Sequence, residues 1–199
     1  MGIARVEFLF DYKSFGERIT PILESLKNGD LEELRSLAKE VVIDRPETWK
    51  LLDYLTYFPN MLDNEEKVFN TDDSKVVFWM DIVICCFCST FNSLTDSEPT
   101  PDELEQLGVD KEIIKTLIWG KPISDLLLGL ILADENSDKY RFWKLGFKVG
   151  WLSTEDIEIM RNKIQIYHEK DNHLAFENLL RIFDTAIKLK MGLILSAIP

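Results

Sequence analysis

The stretch Val76-Val-Phe-Trp-Met-Asp-Ile-Val-Ile-Cys-Cys-Phe-Cys-Ser-Thr-Phe91 is the most apolar part of the chain and decides the predicted fold. Its Val, Ile and Phe content is also typical of β-strands, but 16 residues is long for a strand and ordinary for a helix. The stretch has no polar face, and a helix that is apolar all round is buried. We therefore predict a buried helix over Val76–Phe91 at the centre of the core.

A second run, Ile123–Ala133, also lacks a polar face and is predicted to form a helix beside the first. Neither run fits a membrane span. The longest apolar run, Val76–Cys88, has 13 residues and carries Asp81 in its middle, whereas a spanning helix requires roughly 18. No membrane association is expected.

Amphipathic helices with recognisable first turns account for much of the remaining chain. A capping residue is followed three positions later by an acid in four places, at Asp30, Asp44, Thr100 and Ser153. Apolar residues then recur at helical spacing after each start. Further amphipathic helices are predicted from Asp110 to about Trp119, over residues 140–151, and around Phe176–Ile187.

Only the N-terminus shows the alternation of a β-strand, with Val6, Phe8 and Phe10 separated by polar or other residues. No clear second strand is found for this short extended segment to join, so whether residues 1–12 form a strand stays open. The sequence predicts an all-α fold: one helical domain over residues 1–199, a bundle of about eight or nine helices, with the polar segment 92–100 as an internal loop.

The charge of the chain disfavours nucleic acid as a partner. It has 23 basic and 35 acidic side chains, a net charge of −12, which repels phosphate backbones at long range. The distribution is uneven: residues 1–138 hold 13 basic and 28 acidic side chains, and residues 139–199 hold 10 and 7. An acidic body of this kind favours a basic protein partner.

Metal, cofactor and nucleophile motifs are weak. His168 and His173 are five residues apart, one more than the spacing that places two ligands on one helix face. The three cysteines Cys85, Cys86 and Cys88 lack zinc or redox spacing and lie in the apolar stretch, which favours core packing in a reducing cytoplasm. We predict no cofactor and no metal.

Asp81 is the residue that best marks a candidate site. A carboxylate inside an apolar helix must be paired, shifted in pKa or directed toward a cavity, and perturbed acids of this kind occur at functional sites. One hypothesis is therefore a ligand-binding or enzymatic helical bundle, with a cavity near Asp81 walled by Trp79, Trp119 or Trp143. An ion pair or a solvent-facing position is the structural alternative.

The segment 140–151 interleaves aromatic and basic side chains, including Trp143, Lys144 and Lys148, and is the second candidate surface. An ordinary amphipathic helix explains this composition, while a partner surface or a homo-oligomer interface is the functional alternative. Since no catalytic motif is found, the preferred hypothesis is a non-catalytic acidic protein-binding module, such as an adaptor, an inhibitor or an immunity-type protein.

Overall fold

The computed structural model describes residues 4–44, 72–90, 99–127 and 148–198. Their organising element is a five-stranded sheet whose strands are β1 (Ala4–Phe10), β2 (Cys88–Thr90), β3 (Lys121–Pro122), β4 (Lys148–Leu152) and β5 (Gly192–Ile198). The spatial order is β2-β1-β5-β4-β3, and every neighbouring pair is antiparallel. The first and last strands therefore pair at the centre of the sheet.

Strand β5 pairs with β1 along one edge and with β4 along the other. Its register with β1 runs from Ala4 opposite Ile198 to Phe10 opposite Gly192, and its other edge pairs with the whole of β4. Gly192-Leu-Ile-Leu-Ser-Ala-Ile198 is a continuous apolar run rather than an alternating one. Such a run is typical of a strand covered on both faces.

Helices cover both faces of the sheet. The first layer contains α1 (Tyr12–Ile19) with a short helical continuation (Leu23–Lys27), α2 (Glu32–Asp44) and α3 (Asp72–Cys86). The second layer contains α4 (Pro101–Gln106), α5 (Lys111–Trp119), α6 (Thr154–Lys170) and α7 (Leu174–Leu189). Each layer packs its own apolar cluster against the strands.

Side-chain alternation along the strands assigns each cluster to one face. Ile194 on β5 joins the first layer, whereas its neighbours Leu193 and Leu195 join the second. The same alternation divides Leu9 from Phe10 on β1. Since successive strand residues point to opposite faces, the two clusters lie on opposite sides of one sheet.

The all-α prediction is confirmed only in part. The described residues are mostly helical, but they also contain the antiparallel sheet, and they form seven helices of six or more residues rather than eight or nine. The N-terminal strand is present, and its missing partner is mainly β5, an apolar run that the sequence analysis did not assign. Strand formation was underestimated because β5 does not alternate.

Two segments that were predicted to be helical contain strand residues instead at their C-terminal ends. The apolar stretch is helical to Cys86 and then turns into β2, which pairs with the end of β1. Residues 148–151, predicted as the end of an amphipathic helix, belong to β4. In both places hydrogen bonds to a neighbouring strand, which helical periodicity does not reveal, determine the backbone conformation.

The predicted helix starts at Thr100, Asp110 and Ser153 are confirmed. Each side chain accepts a hydrogen bond from a backbone N–H in the first turn of the helix that follows, as an N-cap does. Asp30 does the same for Glu32, at 3.0 Å. The helix predicted after Asp44, most of the loop at 92–100 and the run from 128 to 133 lie outside the described residues.

Candidate functional site

A set of polar and aromatic contacts lies where both layers meet one end of the sheet. Strand β1 leads directly into α1 and strand β4 into α6, and in the register Phe10 and Leu152 both end beside the start of β5. The starts of α1 and α6 therefore emerge at the same end of the sheet. We call this set the junction cluster; its members are Tyr12, Lys121, Trp151, Ser153, Thr154, Glu155 and Asp156.

Three side chains of the junction cluster form an aromatic and cationic stack. The rings of Tyr12 and Trp151 are 5.8 Å apart between centroids, and Lys121 Nζ lies 5.3 Å from the centroid of the Trp151 ring. Trp151 Nε1 donates a hydrogen bond to the Pro122 carbonyl at 3.1 Å. The indole is thus fixed by edge strand β3 and presents a face to the lysine, a geometry that stabilises the cation.

The first turn of α6 also forms an ion pair with Lys121. Ser153 and Asp156 form a complete capping box, in which Ser153 Oγ accepts from the Asp156 N–H and Asp156 Oδ2 accepts from the Ser153 N–H. Lys121 Nζ lies 2.6 Å from Asp156 Oδ2. Burial raises the pKa of Asp156, but the hydrogen bonds from Lys121 and Ser153 outweigh it and leave the pKa below its usual value.

Glu155 joins α6 to α1. Tyr12 Oη lies 3.2 Å from Glu155 Oε2 and 3.4 Å from Thr154 Oγ1, so its single proton is donated to one of them. The Thr154 hydroxyl donates to the Met191 carbonyl at 3.3 Å. The pKa of Glu155 is lowered, first by its own backbone N–H and then by the hydrogen bonds from Ser153 and Tyr12.

These contacts determine what the junction cluster does chemically. A general acid or base works best with a pKa near the operating pH, whereas Glu155 and Asp156 both have pKa values below the ordinary carboxyl range. Both carboxylates therefore stay ionised at neutral pH. The cluster acts as a set of fixed charges that joins the edge strand, α1 and α6, and it offers no proton for transfer from these two groups.

Asp81, the strongest candidate from the sequence, lies in the closed interior of the first layer. It is 1% exposed, and the neighbouring positions from Trp79 to Cys86 on α3 are buried as well. Burial raises the pKa of Cys85, and the nearby Cys88 and Asp81 raise it further. The pKa of Cys88 is raised in the same way, so both thiols are protonated and unreactive as nucleophiles.

Two of the three tryptophans predicted near Asp81 lie in the described residues, and they pack on opposite faces of the sheet. Trp79 shares α3 and the first-layer cluster with Asp81, but Trp119 packs against the second-layer cluster on the opposite face of the sheet. Trp143 and Lys144 lie outside the described residues, and Lys148 lies on β4, opposite Ala197. Among the described residues, only Trp79 of the three predicted tryptophans therefore lies on the same side of the sheet as Asp81. The ligand-binding hypothesis stays a prediction.

The two histidines lie at the connection between α6 and α7. His173 is the N-cap of α7, where its Nδ1 accepts a hydrogen bond from the Ala175 N–H at 3.2 Å. His168 lies on α6, half-buried, with its Nδ1 shielded from solvent and without a hydrogen-bond partner in the described ranges. Among the residues that the structure describes, no three His, Cys, Asp or Glu side chains are grouped as metal ligands.

Sequence reasoning found only part of the junction cluster. Ser153 and Asp156 were predicted as a helix cap, and Trp151 was placed in the aromatic and basic segment. Tyr12 and Lys121 had no local signal, because their contacts are made with residues far away in the chain. The usable signal would have been β5, whose recognition as a strand brings the starts of α1 and α6 together.

In comparisons with known proteins, no family model, no curated protein and no solved structure matches the chain. Within the described ranges, no helix has both the length and the apolar character that crossing a membrane requires.

Proposed function

We propose that the protein is an acidic, non-catalytic binding module that covers a basic surface of a partner protein, as an adaptor, an inhibitor or an immunity-type protein does. The charge distribution supports this proposal, because residues 1–138 hold 28 acidic and 13 basic side chains. A surface of one sign speeds encounter with an oppositely charged partner and selects against partners of the same sign.

The observation that carries the proposal is the acidic surface of α4 and α5. Asp102, Glu105, Asp110 and Glu112 are exposed, whereas the apolar residues between them are buried in the second-layer cluster. The two helices thus present one acidic side to solvent. We call these four residues the acidic patch.

Two lysines on the same helices neutralise only part of the acidic patch. Lys111 pairs with Glu105 at 2.8 Å and Lys115 with Glu112 at 3.9 Å, and all four side chains are more than half exposed. Exposed ion pairs of this kind contribute little free energy and are easily exchanged for others. The carboxylates therefore remain available to a partner that brings several arginines or lysines.

The acidic patch is also held in place before any partner binds. Thr100 Oγ1 accepts from the Glu103 N–H at 3.2 Å, and Asp110 Oδ1 accepts from the Glu112 N–H at 2.9 Å. The Asp110 N–H donates to Tyr167 Oη on α6 at 3.2 Å. Preorganised charges lose less conformational entropy on binding, which favours a tight complex.

The test begins with in-cell crosslinking and mass spectrometry to identify the partner, followed by titration of the purified pair. Neutralising the acidic patch with Asp102→Asn, Glu105→Gln and Glu112→Gln is expected to weaken binding at least tenfold, since each lost contact contributes roughly 0.2–1 kcal/mol or more. Asp110 is left unchanged because its side chain caps α5.

A matched control removes the same number of charges from other helices of the second layer, with Glu158→Gln, Glu169→Gln and Glu177→Gln. These exposed residues lie on α6 and α7, and the control is expected to change affinity less than twofold. A partner that is itself acidic, or an affinity that depends on neither the patch nor the salt concentration, would refute the proposal.

A further inference from the structure

The first turn of α7 is closed by a side chain whose hydrogen-bonding capacity changes with pH. His173 is the N-cap of α7, and its Nδ1 accepts a hydrogen bond from the Ala175 N–H at 3.2 Å. An imidazole nitrogen accepts a hydrogen bond only while it carries no proton. The cap therefore requires a neutral His173 whose proton lies on Nε2.

The amide that the imidazole satisfies is buried. Ala175 is 4% exposed, and the next residue, Phe176, is fully buried in the second-layer cluster. A protonated Nδ1 directs an N–H donor at the Ala175 N–H, so that two donors face each other. Since a buried N–H without an acceptor is costly, the first turn must open to let water reach this amide. Protonation therefore changes the conformation of the turn.

The position of His173 in the helix also opposes the protonated form. Helix α7 has 16 residues, and the partial positive charge at the N-terminus of a helix disfavours a cation there. The other side-chain caps in the described residues use oxygen atoms, as Asp110 on α5 and Ser153 on α6 do. Within the described ranges, α7 is thus the helix whose cap depends on an imidazole.

The turn that His173 caps packs against α6. The rings of His173 and Phe176 lie 6.4 Å apart between centroids, and those of Phe176 and Tyr167 lie 6.1 Å apart. Tyr167 Oη in turn accepts the hydrogen bond from the Asp110 N–H at 3.2 Å. The first turn of α7 therefore contacts the residue of α6 that holds the start of α5.

We propose that His173 is a pH-sensitive cap, which keeps the first turn of α7 closed while its imidazole is neutral and opens that turn when Nδ1 is protonated. Histidine is the side chain that ordinarily changes charge between about pH 5 and about pH 8. The stabilisation from the cap is present at the higher pH and is lost as pH falls, because only the neutral imidazole accepts. This inference does not depend on the proposed binding of a basic partner.

The charged groups around this corner stabilise the imidazolium once it has formed. Those on the elements that meet there are His168, Glu169 and Lys170 on α6, Asp171 in the connection, Glu177 on α7 and Asp110 on α5. Most of them are acidic, so protonation exchanges the cap for attraction to nearby carboxylates. His168 is the other histidine, and its titration must be separated from that of His173.

The first experiment identifies the tautomer. Nitrogen chemical shifts of the His173 imidazole, measured by NMR on the full chain, report which ring nitrogen carries the proton. At about pH 7.5 we expect the proton on Nε2 and none on Nδ1. A proton on Nδ1 at this pH would overturn the proposal, because that tautomer cannot cap the helix.

The second experiment follows the turn itself through hydrogen exchange of the Ala175 amide. After correction for the intrinsic pH dependence of exchange, its protection is expected to fall about fivefold to tenfold between about pH 7.5 and about pH 5, the size typical of one lost N-cap. The midpoint should coincide with the His173 titration seen by NMR. Protection that is unchanged after His173 is protonated would contradict the proposal.

The third experiment separates the cap from the titration. His173→Asn supplies a preferred N-cap that does not titrate in this range, so Ala175 is expected to keep the same protection at both pH values. His173→Ala has no cap and is expected to show low protection at both. His168→Gln is the matched control and should leave the pH dependence intact. A pH dependence that survives His173→Asn, or that disappears in His168→Gln, would refute the assignment.

Discussion

Helix α3 of the first layer is buried more completely than α6 and α7 of the second layer. In the first layer, α3 is enclosed on every side from Trp79 to Cys86, and even Asp81 is 1% exposed. In the second layer, α6 and α7 bury one face and leave the other in solvent, with apolar side chains such as Ile159 and Ile166 still exposed. Helix α3 therefore belongs to the interior of the molecule, whereas α6 and α7 each present one face to solvent.

The sheet is the element that both layers share, and β5 is the strand whose removal should have the largest effect. A chain that stops at Met191 loses Leu193, Ile194 and Leu195, which are at most 2% exposed and belong to both clusters. We expect no cooperative thermal transition by circular dichroism, because β1 and β4 lose their common partner.

Leu189→Ser is the control for the truncation, since Leu189 is 52% exposed and directly precedes this region. Its free energy of unfolding is expected to stay within about 0.5 kcal/mol of the wild-type value. If the truncated chain instead melted cooperatively near the wild-type temperature, the two layers would not depend on a shared central strand.

Truncating one buried isoleucine in each layer compares the layers directly. Ile84 on α3 and Ile164 on α6 are both 0% exposed. We expect Ile84→Ala to cost about 4 kcal/mol and Ile164→Ala about 2.5 kcal/mol, because an enclosed helix has less freedom to collapse into a cavity than one at the surface. Chemical denaturation measures both; equal losses would mean that enclosure does not distinguish the layers.

Gly150 tests how tightly β4 meets the second layer. A Cβ built at Gly150 would lie 1.7 Å from the Trp119 carbonyl oxygen, which is backbone and has little room to move. We expect Gly150→Ala to lower the free energy of unfolding by about 3 kcal/mol. Gly16→Ala on α1 is the matched control: its Cβ would meet nothing within 4 Å, so a gain of about 0.5–1 kcal/mol is expected.

Replacing Asp156 is expected to change the free energy of unfolding less than the β5 truncation, the isoleucine truncations or Gly150→Ala. The size of this change depends on pH. The folded-state pKa of Asp156 lies below the unfolded value of about 4, so the carboxylate stabilises the fold above that pH and this contribution is lost as pH falls through the folded pKa. Asp156→Asn is expected to cost about 1–2 kcal/mol at pH 7, and the difference from wild type should shrink below about pH 4.

Asp184→Asn is the control for this pH dependence. Asp184 pairs with Arg161 at 3.0 Å between α6 and α7, but its side chain is 56% exposed. Solvent screening limits the expected loss to less than about 0.5 kcal/mol at neutral pH. A larger effect at Asp184 than at Asp156 would show that the junction cluster does not hold the layers together.

The sequence allowed most of the described helices to be predicted, but it did not allow the sheet to be predicted. Capping residues such as Thr100 and Ser153 and the 3.6-residue periodicity of α6 and α7 depend on neighbours in the chain, so they are readable locally. Strand β5 has no alternation, because helices cover both of its faces, and its pairing with β1 joins residues almost 200 positions apart. Local patterns carry no information about such a pairing.

In the candidate site, too, features that depend on neighbours in the chain were predictable and contacts between distant residues were not. Burial of Asp81 was foreseen as one resolution of a charged residue in an apolar helix, and the structure places it in the interior. The contacts of Tyr12 with Glu155 and of Lys121 with Asp156 were not foreseen, because each depends on the sheet register.

Hydrogen exchange in β5 tests the central claim most directly. If Gly192–Ile198 pairs with β1 on one edge and β4 on the other, its amides should exchange as slowly as those of α3, with opening free energies close to that of global unfolding. Exchange of residues 192–198 within seconds, while α3 stays protected, would mean that the C-terminal strand is not the centre of the sheet.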